Sequence, residues 1–429
     1  MSEGAAAASP SEQPAPPPLP PLPGERQRKR ALGVAFLTLF LDLLGFGIII
    51  PIQPFYAESF GASPTVVTLI GASYSLMQFL FAPLWGRLSD RIGRRPVILI
   101  SVAFGGVGFL AFGLAGSLGM LFVARMIAGF GNANLGTVQA LVADVTPGAE
   151  RARAMGMIGA AFGLGFVFGP VIGGLVGAAF GPAAPAFVAA AFAALNWCLA
   201  FLLLPETRRP GVAGGAAHGF LGLRALGEAR AFANVPRMLI IAFVFTTGFA
   251  LMETALALFI EHRFVPADLL GSAEGHKQAT RLTTWVLLAV GVTAVIVQGG
   301  LIGPLRKKLG ERVLILAGVV LCALSFVGLA LAPGYGAFFG PVIVLSVGSG
   351  VFSPSLSSMF SRSVDANRQG VMLGLSQSMS ALGRILGPAV SGFLFERGHG
   401  APFLIGAVLL AAGAAIAVGL REPEPRAGA

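Results

Sequence analysis

Four ionisable residues, Asp42, Arg125, Glu253 and Arg384, stand inside long apolar stretches of a 429-residue chain. A charge surrounded by hydrocarbon is expensive, so such residues are kept for pairing, for holding a ligand or for moving a proton. Asp42 lies about 11 residues into its apolar window, roughly 17 Å along a helix. Arg125 lies about 7 residues into a window running the other way, which in a core about 30 Å thick brings it to a matching depth. Glu253 and Arg384, about 16 and 15 residues into their windows, match in the same way. Each pair is therefore expected to meet. One form of meeting is a static salt bridge that orients two helices; the other is a carboxylate that binds and releases a proton beside a fixed cation. Glu253 could serve a substrate or a second proton. Gln53, Tyr74, Gln78, Asn132, Asn134 and Gln139 could line a cavity and hold polar groups of a substrate, although each alone is more often a helix–helix hydrogen bond.

Other chemistries are not signalled. The chain shows no nucleophile–base constellation and no glycine loop with a Walker lysine after a strand, so it does not read as an enzyme or an ATPase. His218, His262, His276 and His399 lie outside the cores of the apolar windows without ligand spacing, and Cys198 and Cys322 fall inside apolar runs. Neither a metal site, a cofactor nor a disulfide is expected. Energy for work would come from an ion gradient, from substrate exchange or from the substrate's own gradient.

The elements that position these residues follow from composition. Hydrophobic residues make up 55% of the chain, charged residues 11%, and the mean hydropathy is +0.82. A soluble protein carries about 25% charged residues. The net charge of +10 lies in short clusters between apolar runs, which fits topology signals at a membrane surface rather than nucleic-acid binding. Span-length windows fall near 32–52, 65–85, 96–116, 119–141, 154–177, 182–204, 237–260, 283–303, 312–332, 336–355, 370–395 and 400–420. These predict twelve transmembrane helices. With the N-terminus inside, one side collects Arg87, Arg91, Arg94, Arg95, Arg306, Lys307, Lys308 and Arg312 among others, while the other side holds only Arg263, Lys277, Arg281 and Arg397. Both termini are thus expected in the cytoplasm. Residues 1–30 read as a disordered Ala/Pro-rich tail, 31–204 and 237–420 as six-helix bundles, 205–236 as a cytoplasmic linker, and 421–429 as a second tail. The alternation of Phe220, Leu221, Leu223, Leu226 and Phe232 with Arg224, Glu228 and Arg230 allows the linker a short amphipathic helix; a plain tether is the other reading.

The two bundles are related by sequence. Gly156, Gly165, Gly169 and Pro170 recur as Gly374, Gly383, Gly387 and Pro388, each 218 residues on, and Gly173-Gly174 recurs as Ser391-Gly392. A duplicated half made of apolar segments marks a two-halved transporter. On a helical wheel Gly156, Gly159, Gly163, Pro170, Gly174 and Gly177 share one face, with Gly165, Gly169 and Gly173 roughly opposite. Small residues allow close helix approach on both faces, and Pro170 favours a bend. The segment reads as a hinge or seal between the halves, or as ordinary small-residue packing.

The loop after the second window runs Gly86-Arg-Leu-Ser-Asp90-Arg91-Ile-Gly93-Arg94-Arg95. Its glycines suit a tight turn, and Asp90 can pair within the loop and meet a neighbouring helix end. A degenerate copy, Gly303 to Gly310, lacks the aspartate.

At these residues the chain resembles a known family. Gly86–Arg95 is similar to the cytoplasmic signature of the major facilitator superfamily, and Gly156–Gly174 to its fifth-span antiporter signature. Leu41-Asp42 through Gly45 and Gly47 to Pro51 and Pro54 resembles the first-span signature of the twelve-span drug:proton antiporters. Arg125, with Gly129 and Gly131, resembles the fourth-span signature, and Tyr74–Arg95 is similar to the tetracycline-efflux group. The resemblance covers residues 31–420. It implies an all-α membrane protein of twelve transmembrane helices in two pseudo-symmetric six-helix bundles, the major facilitator fold. It further implies proton-coupled export of a tetracycline-like or other amphipathic small molecule through the inner membrane, by a monomer, with the loop of Gly86, Asp90, Arg91, Gly93, Arg94 and Arg95 latching the cytoplasmic ends. A metabolite uniporter, symporter or exporter of the same fold is the alternative, and a non-transporting receptor or scaffold a remote one.

Overall fold

The computed structural model describes residues 24–146, 151–207, 227–364 and 369–422. Most of the linker and its expected surface helix lie outside the described residues, as does the tail before residue 24. Twelve long helices follow in order: α1 Glu25–Ile49, α2 Pro64–Ile92, α3 Arg94–Gly113, α4 Leu118–Val145, α5 Arg151–Phe180, α6 Ala184–Leu203, α7 Val235–Phe264, α8 Ala273–Ile296, α9 Ile302–Leu331, α10 Tyr335–Ser363, α11 Gln369–Arg397 and α12 Ala401–Val418. Among the described residues, ten helical stretches are long and apolar enough to cross a membrane. One of them, Ala273–Leu331, is 59 residues long and contains both α8 and α9. The chain is a multi-pass membrane protein.

Local chemistry sets the ends. Ser117 and Ser272 cap α4 and α8, their hydroxyls accepting from the N–H groups of Met120 (3.3 Å) and Gly275 (3.0 Å). α4 is interrupted by a 3-10 turn at Asn132–Asn134, and a π-turn at Val297–Leu301 joins α8 to α9. Two details differ from the sequence reading. α1 begins at Glu25, inside the expected tail, because Lys29 pairs with Glu25 at 2.7 Å and Arg30 donates to the carbonyl of Leu202 at 3.1 Å. α2 stays helical to Ile92, so Gly86 lies within the helix and Gly93, at φ 108°, makes the turn alone. Its counterpart is Gly310, at φ 78° within α9. Both conformations favour glycine.

Leu202, Leu331, Val408 and Phe180 are more than half exposed, as side chains facing lipid are. The repeat glycines make the tightest helix contacts. A Cβ on Gly165 or Gly169 would press on α1 at Leu43 Cβ or Gly47 Cα, each 2.7 Å away, and one on Gly173 would overlap Ile48. Gly383 and Gly387 sit in the same way against Thr247 and Ala250 of α7. These glycines therefore seal α1 to α5 and α7 to α11, within each half rather than between halves. Pro170 also lies against Gly47. The contacts between halves belong to Gly174, which abuts Thr284 of α8, and to its repeat partner Gly392, which abuts Thr65 and Thr68 of α2. The side chains near Gly156 and Gly159 are outside the described residues.

Candidate functional site

The central cavity forms where α1, α2 and α4 face α7 and α11. Two adjoining spaces share Phe46, Tyr74, Ser75, Ala250, Glu253 and Arg384. The larger, about 460 Å³, also meets Asp42, Gln78, Asn132, Asn134, Gln139, Phe166, Phe249 and Gln377. The smaller meets Gln53, Arg125, Thr254 and Pro388. All four ionisable span residues and all six polar cavity candidates thus line one region between the halves. Its volume falls within the range of about 300–1,000 Å³ typical of small-molecule sites. Phe46 packs against Tyr74 at 5.1 Å and Phe166 at 5.8 Å between ring centroids, giving the cavity an aromatic wall.

The expected pairing of Asp42 with Arg125 does not form. Asp42 accepts from the amides of Asn196 (3.0 Å, α6) and Asn134 (3.4 Å, α4). Asn134 also donates to Ser101 at 2.7 Å, and Asn196 to the carbonyl of Thr38 at 3.3 Å. The Arg125 guanidinium instead lies over the Tyr74 ring at 4.3 Å and beside Phe46 at 5.7 Å, leaving Nε and one Nη buried without a hydrogen-bond partner. Helix rotation, which residue counts alone leave open, aims Asp42 at α4 and α6 and Arg125 at α2. Glu253 and Arg384 face the same cavity without closing to an ion pair. Gln78 bridges the Tyr74 hydroxyl and the Asn132 carbonyl, both at 3.1 Å.

At the arginine-rich end, Arg94 donates to Asp90 (2.6 Å), Ser89 (2.6 Å) and Asp144 at the end of α4 (3.2 Å). Glu206 accepts from the backbone N–H groups of Arg94 and Arg95 at 3.0 and 3.2 Å, a carboxylate placed where a helix N-terminus has free donors. These described partners of Asp90 and Arg94 belong to the first half and the start of the linker. The second half repeats the carboxylate on backbone N–H groups and exchanges the charges of the side-chain pair. Glu422 accepts from the N–H of Arg312 at 3.1 Å, and Glu311, at the position equivalent to Arg94, faces Arg362, equivalent to Asp144, at 3.5 Å. Arg95, with its side chain over Phe201, lines the outside of this cluster.

Sequence reasoning missed Asn196, Asp144, Glu206, Glu311, Arg362 and Glu422. Asn196 had a signal, being the one amide in an otherwise apolar window. Glu206 and Glu422 had one too, since they follow α6 and α12 at nearly the repeat spacing.

Two related six-helix halves enclosing a polar cavity define a secondary transporter rather than an enzyme. The profile of the Major Facilitator Superfamily matches residues 35–384 and 273–429. The chain belongs to that superfamily. It is 32% identical to the tetracycline resistance protein, class C, of Escherichia coli over 88% of this chain and 94% of that protein. It is 29% identical to multidrug resistance protein 1 of Bacillus subtilis (strain 168) over 91% and 96% of the two chains. Among solved structures, the human organic anion transporter MFSD10 (TETRAN) superposes with a TM-score of 0.68 at 25% identity, covering 91% of this chain and 99% of that one. A bacterial homolog of the human lysosomal transporter Spinster, inward-facing and occupied, gives a TM-score of 0.74 at 15% identity over 92% and 97%, a likeness of fold.

Proposed function

We propose that the chain exports a drug or other amphipathic small molecule, tetracycline-like in combining rings with polar groups, in exchange for protons. The observation that carries this reading is the meeting of Asp42, Glu253, Arg125 and Arg384 in one aromatic-walled cavity between the halves. The names of the relatives, tetracycline and multidrug resistance proteins, support the substrate class. The one-sided arginine distribution supports an inner-membrane chain with both termini in the cytoplasm. The cavity is built from a single chain, which supports a functional monomer.

In the proposed cycle Asp42 takes up a proton from the outer side. Protonation converts one of its acceptor oxygens into a donor, and a donor cannot satisfy both the Asn134 and the Asn196 amide. The cradle joining α1 to α4 and α6 then loosens. Arg125, whose buried N–H groups lack acceptors, takes a carbonyl or enolate oxygen of the substrate, while Tyr74 and Phe46 stack on its rings. Glu253 beside Arg384 serves the substrate or a second proton.

Expression in an efflux-deficient host should raise the inhibitory concentration of at least one planar amphipathic compound by about fourfold or more. A flat profile across compound classes would return the chain to metabolite export. Asp90→Asn removes one partner of Arg94 at a site 37% exposed, so its cost in stability is under about 1 kcal/mol. Its expected result is normal membrane abundance with export reduced several-fold, read by immunoblot and by efflux from the same cells. Normal export would reduce the loop to a topology signal.

A further inference from the structure

On the side opposite the arginine-rich turns, the halves are joined by Thr65 N–H donating to Glu396 (3.1 Å) and by Gly392 N–H donating to Thr68 (3.1 Å). Beside them lies a cluster that the transport reading leaves unused. Glu58 ends the short helix Gln53–Glu58 of the first half. Glu261 lies in the last turn of α7 and His276 in the first turn of α8, both in the second half. Their ligand atoms all lie within 4.8 Å of one another.

Glu58 Oε2, both carboxylate oxygens of Glu261 and His276 Nε2 are buried without a hydrogen-bond partner, and Glu261 is 1% exposed. Burying unsatisfied carboxylates is costly, and native structures rarely leave them so. His276 Nε2 stands 3.6 Å from Glu58 Oε2 and 3.5 Å from Glu261 Oε1, too long for hydrogen bonds. A tetrahedral cation with ligands at about 2.1 Å has ligand–ligand edges of about 3.4 Å. The Phe55 ring stacks on the imidazole at 5.7 Å between centroids and holds its plane.

The geometry assigns Glu58, Glu261 and His276 as a three-ligand site for a divalent transition-metal cation of the zinc type, bridging the two halves. One imidazole and two carboxylates are a zinc donor set, with the fourth position left to water. Magnesium and calcium require six or more oxygens, and magnesium holds its water tightly, so this site disfavours them. A bound ion draws ligands from both halves and so binds only while the halves meet on this side. By linkage, zinc at 100 times its dissociation constant favours that state about 100-fold. Zinc on this side would then act as a brake on the exchange of states. That consequence rests on the proposed transport cycle; the binding itself does not.

The test uses the purified full chain in detergent with zinc chloride as the probe, and magnesium chloride in excess as the control. Equilibrium dialysis should find one zinc per chain, lost at least tenfold in affinity by His276→Ala and by the near-isosteric Glu58→Gln. Zinc should also slow hydrogen exchange in residues 53–63 and 392–400 of the parent chain but not of the variants. Zinc binding of equal strength in parent and variants, or none in the parent, overturns the assignment. The latter is the result if the two carboxylates only share a proton. Binding without any drug-export phenotype would leave the site standing and remove the export reading instead.

Discussion

Replacement of Asp42 by asparagine abolishes proton-driven uphill export while the chain stays folded and retains some substrate binding and downhill exchange. The substitution is nearly isosteric, yet an asparagine accepts through one oxygen only. One of the two amides from Asn134 and Asn196 would then meet an NH2 group instead of an acceptor. A buried donor left without a partner costs about 1–3 kcal/mol, which a twelve-helix chain sustains. What is lost outright is the exchangeable proton. The measurement is substrate-induced proton release from purified protein in detergent, where Asp42→Asn should release fewer protons than the parent chain. If it releases as many, Glu253 becomes the coupling carboxylate. Arg125 supplies the comparison. Arg125→Lys keeps the cation but loses the planar stack on Tyr74, so export should be impaired yet exceed that of Arg125→Ala.

Leucine at Gly169 and leucine at Gly174 should both stop transport, for different reasons that abundance separates. The first Cβ at Gly169 already stands 2.7 Å from Gly47 Cα and 2.9 Å from the Leu44 carbonyl oxygen, backbone atoms of a packed helix that cannot step aside. Overpacking of this kind costs about 1–3 kcal/mol or more, so Gly169→Leu should reduce folded protein in the membrane severalfold. The nearest neighbour of Gly174 is the Thr284 side chain across the gap between the halves. Gly174→Leu should therefore leave each bundle intact and abundance near normal, while preventing the halves from meeting on that side. Gly340, with open space around its Cβ position, is the control and should tolerate leucine. Fluorescence-detected size-exclusion profiles with efflux assays on the same cells decide the matter. Equal abundance of all three variants would mean that the α1–α5 contact has slack that its geometry denies.

Much of the architecture was legible before any coordinates. Hydrocarbon imposes a span length of about 20 apolar residues and forces backbone hydrogen bonds inside each segment, so composition and window length alone dictate helices and their number. The 218-residue repeat dictates two related halves because equivalent segments bury equivalent faces. Intramembrane charges are costly, which is why Asp42, Arg125, Glu253 and Arg384 stood out and why they all line the cavity.

What the sequence left open was rotation and partnership. Depth along a helix follows from residue number, but the direction of a side chain depends on how neighbouring helices pack. Asp42 therefore found two asparagines and Arg125 two aromatic rings. The glycine faces of α5 were readable as close-approach surfaces, while their division between sealing α1 and meeting α8 was fixed by which helix lay on which side. Glu58, Glu261 and His276 were invisible as a group for the same reason. They lie on three separate elements drawn from both halves, and no local spacing encodes a contact made only when the halves close. The sequence by itself determined how many helices cross and which residues must be buried in them. Only the tertiary structure decided which of those residues face one another, because side-chain pairing in a bundle depends on azimuth and crossing geometry, set by all the helices together.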